Sequence, residues 1–381
     1  MSRKVTSIVT ATVAMVVIAV LLALPAFGAA PNPIVRIRAN GSNSAVVRAG
    51  GDLWVWGYNY VGQVGDGTKE NNRHTPFNVQ GIGKVVDVAV GHTHTLALTQ
   101  DGSVYAWGSN EYGQLGVEGC QCSTVPIKLP GLEDVVAISA GSGHSIALKS
   151  DGTVWCWGDG RFGQLGDGAC VSKPTPVRAE ALDDVVFVEA AWYMSYAIKS
   201  DGTLWVWGHN ASGQLGRDLD KFIFRPVRNC DMEGVRRVTG GTSHSIALKE
   251  DGTVWTWGKD EKGQLGTGKA GGGLPAMVPI KGKAIDIDAG INFSVVLTDD
   301  GSVWTWGDNS GGQLGTGNTV GLSAPSKVGS LKKIVAISCG TQHALALAEN
   351  GDLWAWGWNT MGQLGNRSSE GKTIPVIVAV K

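Results

Sequence analysis

Asp151-Gly-Thr-Val-Trp-Cys-Trp-Gly-Asp-Gly-Arg-Phe-Gly-Gln-Leu-Gly166 is one of seven related stretches in this 381-residue chain. The Trp-Gly pair recurs at 56/57, 107/108, 157/158, 207/208, 257/258, 306/307 and 356/357, a spacing of 49 to 51 residues. Gly-Gln-Leu-Gly, or Gly-Gln-Val-Gly at 62–65, follows each pair at the same offset. A period of this length marks an array of supersecondary units, each stabilised by burying its apolar surface against its neighbours.

One unit runs from Val135 to Glu180. Val135 to Gly141 is a β-rich run, Ser142-Gly143 a turn, and His144 to Lys149 an alternating second strand. Asp151-Gly152 is a hairpin signal that calls for positive φ at both central positions. Thr153 to Trp157 forms strand three, and Thr175 to Arg178, after a Gly-rich connection, strand four. The same parse holds from Ile34 to Lys381 with no helical periodicity. The expected fold class is therefore all-β, a seven-bladed β-propeller of four-stranded antiparallel blades over residues 31–381. Ile34-Val-Arg-Ile and Ile374 to Val380 both read as strands, and they are expected to lie side by side where the ring closes.

Thirteen of the fifteen tryptophans occupy the positions of Trp155 and Trp157, with Tyr105 in the one gap. Residues two apart in a strand share a face, and each such ring can bury about 150–250 Å². Both positions are expected to pack blade against blade. Pro76, Pro126, Pro176, Pro226, Pro279, Pro325 and Pro375 are expected to start strand four, at the outer edge of each blade, where a missing N–H is tolerated.

Residues 1–30 read as an export signal: Arg3 and Lys4, an apolar run from Ile8 to Leu24, Pro25, then small residues offering cleavage after Gly28 or Ala30. The alternative is an uncleaved anchor, for which seventeen apolar residues is near the lower limit. Either way the repeats are expected outside the cytoplasm, secreted or held at the envelope. Net charge is −1, and removing Arg3 and Lys4 leaves 30 basic against 33 acidic residues. No basic cluster stands out, so a nucleic-acid partner is not expected. Of the six cysteines, Cys156 and Cys339 fall in strands. Cys120, Cys122, Cys170 and Cys230 fall in or near connections, and a Cys170 bridge to Cys120 or Cys122 is compatible with an oxidising compartment. Zinc-ligand spacing is missing from the sequence.

The unit Gly-x-x-His-[Ser/Thr]-x-Ala-Leu, then Asp-Gly-x-[Val/Leu]-x-x-Trp-Gly, then Gly-Gln-Leu-Gly resembles the repeat of the regulator of chromosome condensation family over residues 34–381. The resemblance implies a seven-bladed propeller. Its founding type exchanges guanine nucleotide on a small GTPase; the setting here is more similar to secreted bacterial propellers that inhibit β-lactamase. Departures fall in the first unit (Ser44 read at the His position), the fourth (Ala191-Trp-Tyr-Met194) and the sixth (Phe293).

His94, His144, His244 and His343 recur at one repeat position, where Met194 and Phe293 also stand, so the expected role is support of a turn in the core. His144 and Ser145 face opposite sides of a strand and cannot form a base–nucleophile pair. The single carboxylate of each Asp-Gly does not build a calcium loop, and Gly-Gln-Leu-Gly lacks the Lys-Ser/Thr of a phosphate loop. No catalytic residue, metal or cofactor is expected, and the chain reads as a binding module and not an enzyme. A hydrolytic propeller, for instance one acting on polysaccharide, is the alternative with chemistry. Strand parity puts the turn after strand one and the connection after strand three on one face. That face carries the off-pattern residues Tyr58, Tyr60, Tyr112, Arg161, Phe162, Trp192, Tyr193, Ile291, Trp358 and Met361. Aromatics and Arg supply interface hot spots, so these residues are expected to bind a protein partner, with an envelope glycan as the alternative ligand, by a propeller expected to be monomeric.

Overall fold

The computed structural model describes residues 32–216, 219–268 and 272–381; the segment read as an export signal lies outside them. The described strands form seven four-stranded antiparallel sheets, each from four strands consecutive in sequence. The first strands, Ile34–Asn40, Val85–Val90, Val135–Ala140, Val185–Ala191, Val235–Gly240, Ala284–Ala289 and Ile334–Cys339, pack one on the next around the axis. That of blade seven returns against that of blade one, so the ring is closed. Fourth strands form the rim.

Closure differs from expectation. The first strand, at the axis, and the last, Lys372–Val378, at the rim, belong to different sheets and share no ladder. Blades one and seven instead share a core in which Ile37, Val46 and Trp56 meet Leu345, Leu353 and Leu364. With whole blades formed locally, side-chain packing is enough to close the ring.

The hairpin also differs. Lys149 N–H donates to Thr153 O at 3.0 Å and Gly152 N–H to Lys149 O at 3.0 Å. Of the Asp-Gly pair only Gly152 has positive φ, at 79°. This is a three-residue loop ending in a glycine bulge. Asp151 caps it by accepting from Thr153 N–H at 3.0 Å and from Thr153 Oγ1–H at 2.6 Å. Six of the seven rim prolines stand inside strand four, as Pro176 does in Lys173–Arg178, and not at its start, while Pro279 follows the short strand Ala276–Met277. An edge strand has one side free of ladder bonds, which is where they fit.

The repeated motifs become one inter-blade device. Each Gln of Gly-Gln-Leu-Gly ties its own turn: Gln164 Oε1 accepts Phe162 N–H at 2.8 Å. The Gln carbonyl serves the next blade. Gln114 O accepts Trp157 Nε1–H at 2.9 Å and Ser145 Oγ–H at 2.9 Å. Because that hydroxyl proton is committed, Ser145 Oγ accepts from His94 Nε2–H, at 2.9 Å, in the preceding blade. The bonds recur at ring closure, where Trp56 and Ser44 donate to Gln363 O at 2.9 and 2.8 Å and His343 Nε2 meets Ser44 Oγ at 2.9 Å. Ser44 thus matches Ser145, and Asn43, opposite Gly57 as His144 is opposite Gly158, holds the histidine position. The sequence alignment of the first unit is corrected by one residue.

The inner tryptophans (56, 107, 157, 207, 257, 306 and 356) are fully buried in all seven blades. The partners expected to join them, such as Trp155, are only half-buried. They lie two residues nearer the hairpin, where Trp155 Nε1–H donates to Thr153 Oγ1 at 3.2 Å and Lys199 and Lys249 cover the rings of Trp205 and Trp255.

Space dictates one further pattern. A Cβ on Gly141 would stand 2.4 Å from His144 Cε1. Glycine occupies this position wherever a ring follows three residues later (Gly91, Gly141, Gly241, Gly290, Gly340). Asn40 and Ala191 occupy it where the later residue, Asn43 or Met194, has no ring. Burial pushes the four imidazoles far down, His94 and His343 to about 3 and His144 and His244 to about 4, so they are neutral hydrogen-bond donors. The expectation that they support the core holds.

Candidate functional site

The turns after strand one and the connections after strand three emerge together, as strand parity requires. On this face the structure gathers Tyr112, Arg161, Phe162, Trp192 and Tyr193 from blades two, three and four. Arg161 lies 4.3 Å over the Tyr112 ring and 5.9 Å over Phe162. Asp159 fixes its guanidinium through two bonds of 2.9 Å and holds its charge firmly on. Phe162 meets the edge of Tyr193 at 5.2 Å, crossing from blade three to blade four. Three residues not singled out from sequence complete the patch. Phe222 stacks on Phe162 at 5.6 Å, His209 lies 5.6 Å from both, and Lys221 covers Phe222 at 5.3 Å. His209 ends strand three of blade four and Phe222 begins its strand four. Their pairing across that ladder was the available signal.

Trp192 sits at the inner edge of this patch, half-buried, with φ of 24°. Its ring lies 5.2 Å from His92 of blade two and 6.3 Å from Tyr193. Its carbonyl accepts Ser142 N–H at 2.8 Å from the intervening blade. Trp192 and His92 therefore bridge over the small Ser142 at the mouth of the axis.

The remaining expected residues are placed elsewhere. Tyr58 and Tyr60 stack on each other at 6.1 Å in blade one. Trp358 is 42% exposed, lies over Gly311 of blade six and donates Nε1–H to Thr360 Oγ1 at 2.6 Å. Met361 Sδ accepts Asn72 Nδ2–H at 3.3 Å, and Ile291, half-buried, gives its carbonyl to Thr242 N–H at 3.3 Å. No ring contact among the described residues joins these to the patch. Five of the ten expected residues therefore form one cluster.

The axis carries charges that the repeat pattern hid. Arg36 and Arg38 of blade one flank Asp87 of blade two, at 3.9 and 3.5 Å. Arg237 of blade five pairs with Asp286 of blade six at 2.5 Å. Asp288 accepts from Cys339 N–H at 2.8 Å and Ser338 Oγ–H at 3.1 Å in blade seven. Glu189 of blade four keeps some exposed surface, but the atoms crowding it on the axis hold it away from bulk water. That burial, then the Asp288 charge, raise its carboxyl to about 7 against the pull of Arg237 and Arg38; Asp288 is raised to about 6, chiefly by burial. Arg36, Arg38 and Asp87 join blades one and two, Arg237 and Asp286 join blades five and six, and Asp288 joins blades six and seven. Among the described residues, no group of three or more His, Cys, Asp or Glu is placed to hold a metal ion, and all six cysteines are unpaired, so the Cys170 bridge is not formed. No helix of the described residues is long and apolar enough to cross a membrane.

A closed seven-bladed ring latched through Trp, Ser and Gln, with aromatic rings concentrated on the loop face of three blades, is a repeat propeller. The family model described as an RCC1-like domain matches residues 17–279, and that described as the regulator of chromosome condensation (RCC1) repeat matches 300–347 and 350–381. The chain belongs to this family. The X-linked retinitis pigmentosa GTPase regulator homolog of Caenorhabditis elegans is 42% identical over 86 residues, 22% of this chain and 6% of that much longer protein. Human WBSCR16 has a similar solved structure, with TM-score 0.78 and 24% identity over 86% of this chain and 95% of that one. So has Prp20p of Saccharomyces cerevisiae, described with its binding to Gsp1p and histones, with TM-score 0.79 and 21% identity over 92% and 87%. At these identities the two structures establish the shared fold.

Proposed function

We propose that this chain is an exported propeller that binds a protein partner through the loop face of blades three and four, with no chemistry of its own. One observation carries the reading: a continuous run of rings and cations, from Tyr112 and Arg161 through Phe162, Tyr193, His209 and Phe222, ending at Trp192. Rigid aromatics flanked by a fixed guanidinium are the residue types that dominate interface energetics. The protein-binding record of Prp20p supports a protein as the ligand class. The composition of residues 1–30 supports export. In this reading Tyr58, Tyr60 and Trp358 are outside the interface core.

The test is affinity capture from secreted and envelope fractions, with wild type beside Trp192→Ala/Tyr193→Ala. Loss of two hot-spot rings costs about 2 kcal/mol or more each, about thirtyfold or more apiece in affinity. A protein retained by wild type and lost by the double variant is the expected result. Equal retention by both moves the site off this face, and retention of glycan alone replaces the partner class. A second reading, regulation of a small GTPase, is favoured by the GTPase-regulator relative and by Prp20p. Capture of a GTPase by a chain whose N-terminus remains intact inside the cell would establish it in place of the exported reading.

A further inference from the structure

The seven inter-blade seams are not equivalent. Four kinds of tie recur: the indole of one blade to the Gln carbonyl of the preceding blade, the ring–hydroxyl bond, a backbone bond between neighbouring first turns, and an ionic or hydrogen-bonded link between first strands. The seam between blades three and four has all four. Trp207 Nε1–H donates to Gln164 O at 2.9 Å and His144 Nε2 meets Ser195 Oγ at 3.0 Å. Ser142 N–H reaches Trp192 O at 2.8 Å and Ala190 N–H reaches Ser139 Oγ at 2.9 Å. The seam between blades five and six is also complete, through Trp306, His244, Thr242 and Arg237.

The seam between blades four and five keeps the fewest of these ties, although Ser245 Oγ–H still donates to Gln214 O at 2.5 Å. Trp257, fully buried, has no partner for its Nε1–H, whereas the other six inner indoles all reach a Gln carbonyl. Met194 takes the place of histidine, and Tyr196 reaches across in its stead, its OH 2.7 Å from Ser245 Oγ. Among the described residues, no backbone bond links the Trp192 turn to blade five, and no ion pair or hydrogen bond links their first strands. Glu189 and Arg237 face each other there without closing to an ion pair. Bulky side chains fill this seam instead. Tyr196 and Met194 occupy the interface, and Gly240 yields room for them: a Cβ there would stand 3.0 Å from Tyr196 Oη and 3.3 Å from Met194 Cε.

We propose that the ring opens preferentially between blades four and five, with blades three and four moving as one body. The aromatic patch bridges the fully tied seam between blades three and four, so it would stay assembled while the ring loosens behind it. This inference is independent of what the patch binds.

The buried indole protons report it directly. Hydrogen exchange of the seven inner tryptophan indoles is followed by NMR on the full chain, with each resonance assigned by a single Trp→Phe substitution. The Trp257 proton is expected to exchange at least tenfold faster than those of Trp207 and Trp306, the indoles that report the two neighbouring seams. An unbonded N–H could exchange quickly with no opening of the seam, so a second arm separates the causes. With Trp257 intact and the exposed Cys170 and Cys230 replaced by serine, Ser245→Cys should react with a thiol reagent at least tenfold faster than Ser195→Cys in the same background. Equal indole rates, or equal thiol rates at the two positions, would overturn the proposal.

Discussion

Ser145→Ala tests the latch at its centre. Ser145 is fully buried, accepts from His94 Nε2–H and donates to Gln114 O. Removing the hydroxyl forfeits its own bond, worth about 1 kcal/mol net, and strands the buried His94 donor, which costs about 1–3 kcal/mol. Gln114 O keeps the Trp157 indole, so the carbonyl is not orphaned. The expected loss is about 2–4 kcal/mol, without a change in fold. Thr153→Ala is the control: it removes the bond from Thr153 Oγ1 to Asp151 and the acceptor of the half-buried Trp155 indole, both beside the exposed hairpin where water substitutes, and the cost stays at about 1 kcal/mol. Urea denaturation followed by tryptophan fluorescence reads both, since the inner indoles move from full burial to solvent. Equal midpoints for Ser145→Ala and Thr153→Ala would refute the reasoning, because a buried orphaned donor cannot be as cheap as a hydrated one.

Other expectations follow from burial and space. Four imidazoles with folded values near 3 to 4 bind fewer protons folded than unfolded, so their contribution is present above pH 6.5 and lost as pH falls. Glu189 and Asp288, raised, act oppositely, and four groups outweigh two: stability should fall by roughly 2–3 kcal/mol per pH unit between pH 6 and 4.5, read by urea midpoints. Stability that rises on acidification there would reverse the assignment. Glu189→Gln should stabilise the protein at pH 8 by about 1–2 kcal/mol and have little effect near pH 4.5, where the native carboxyl is already protonated; the same gain at both pH values would exclude titration as the cause. Gly141→Ala should cost more than about 2 kcal/mol by driving a methyl into the His144 ring. Gly83→Ala, whose nearest neighbour is Thr99 Cγ2 at 3.8 Å, should stay within about 0.5 kcal/mol, and thermal melting distinguishes the two.

The fold was legible because its signals repeat. Trp-Gly and Gly-Gln-[Leu/Val]-Gly mark strand ends at one period in all seven units, with Asp-Gly hairpins in five, and together they leave a single architecture. The latch was legible in part. Burial of Trp157 followed from its size, but not which of two same-face rings the next blade would cover. The ring closure was misread because strand identity does not reveal which sheet a terminal strand joins. The aromatic site was half legible: Trp192 and Tyr193 break the repeat visibly, while Phe222 and His209 meet only through a ladder across a long connection. The axial charges were hidden for another reason. Arg38, Asp87, Glu189, Arg237 and Asp288 stand on different blades at positions where the repeat has no consensus, and only closure brings them together.

Blade four concentrates the departures, and they are physically linked. Ala191 carries a Cβ where an imidazole three residues on would need glycine, so Met194 replaces the histidine. Losing that histidine removes the usual tie to Ser245, and Tyr196 takes it up, its OH 2.7 Å from Ser245 Oγ. Trp192 meanwhile sits at a φ of 24°, a conformation that costs a non-glycine residue on the order of 1–3 kcal/mol and persists only where surroundings impose it. Here the Ser142 N–H bond and the His92 ring impose it. A scaffold built only for stability has six other turns to copy that avoid this cost. Strain is thus held in place beside a patch of rings, on a blade whose seam to blade five keeps few of the recurring ties. It also makes Trp192→Gly informative: relief of strain would offset part of the lost packing, leaving stability within about 1 kcal/mol of wild type while partner capture is abolished. Stability lost together with capture would instead assign Trp192 to the scaffold.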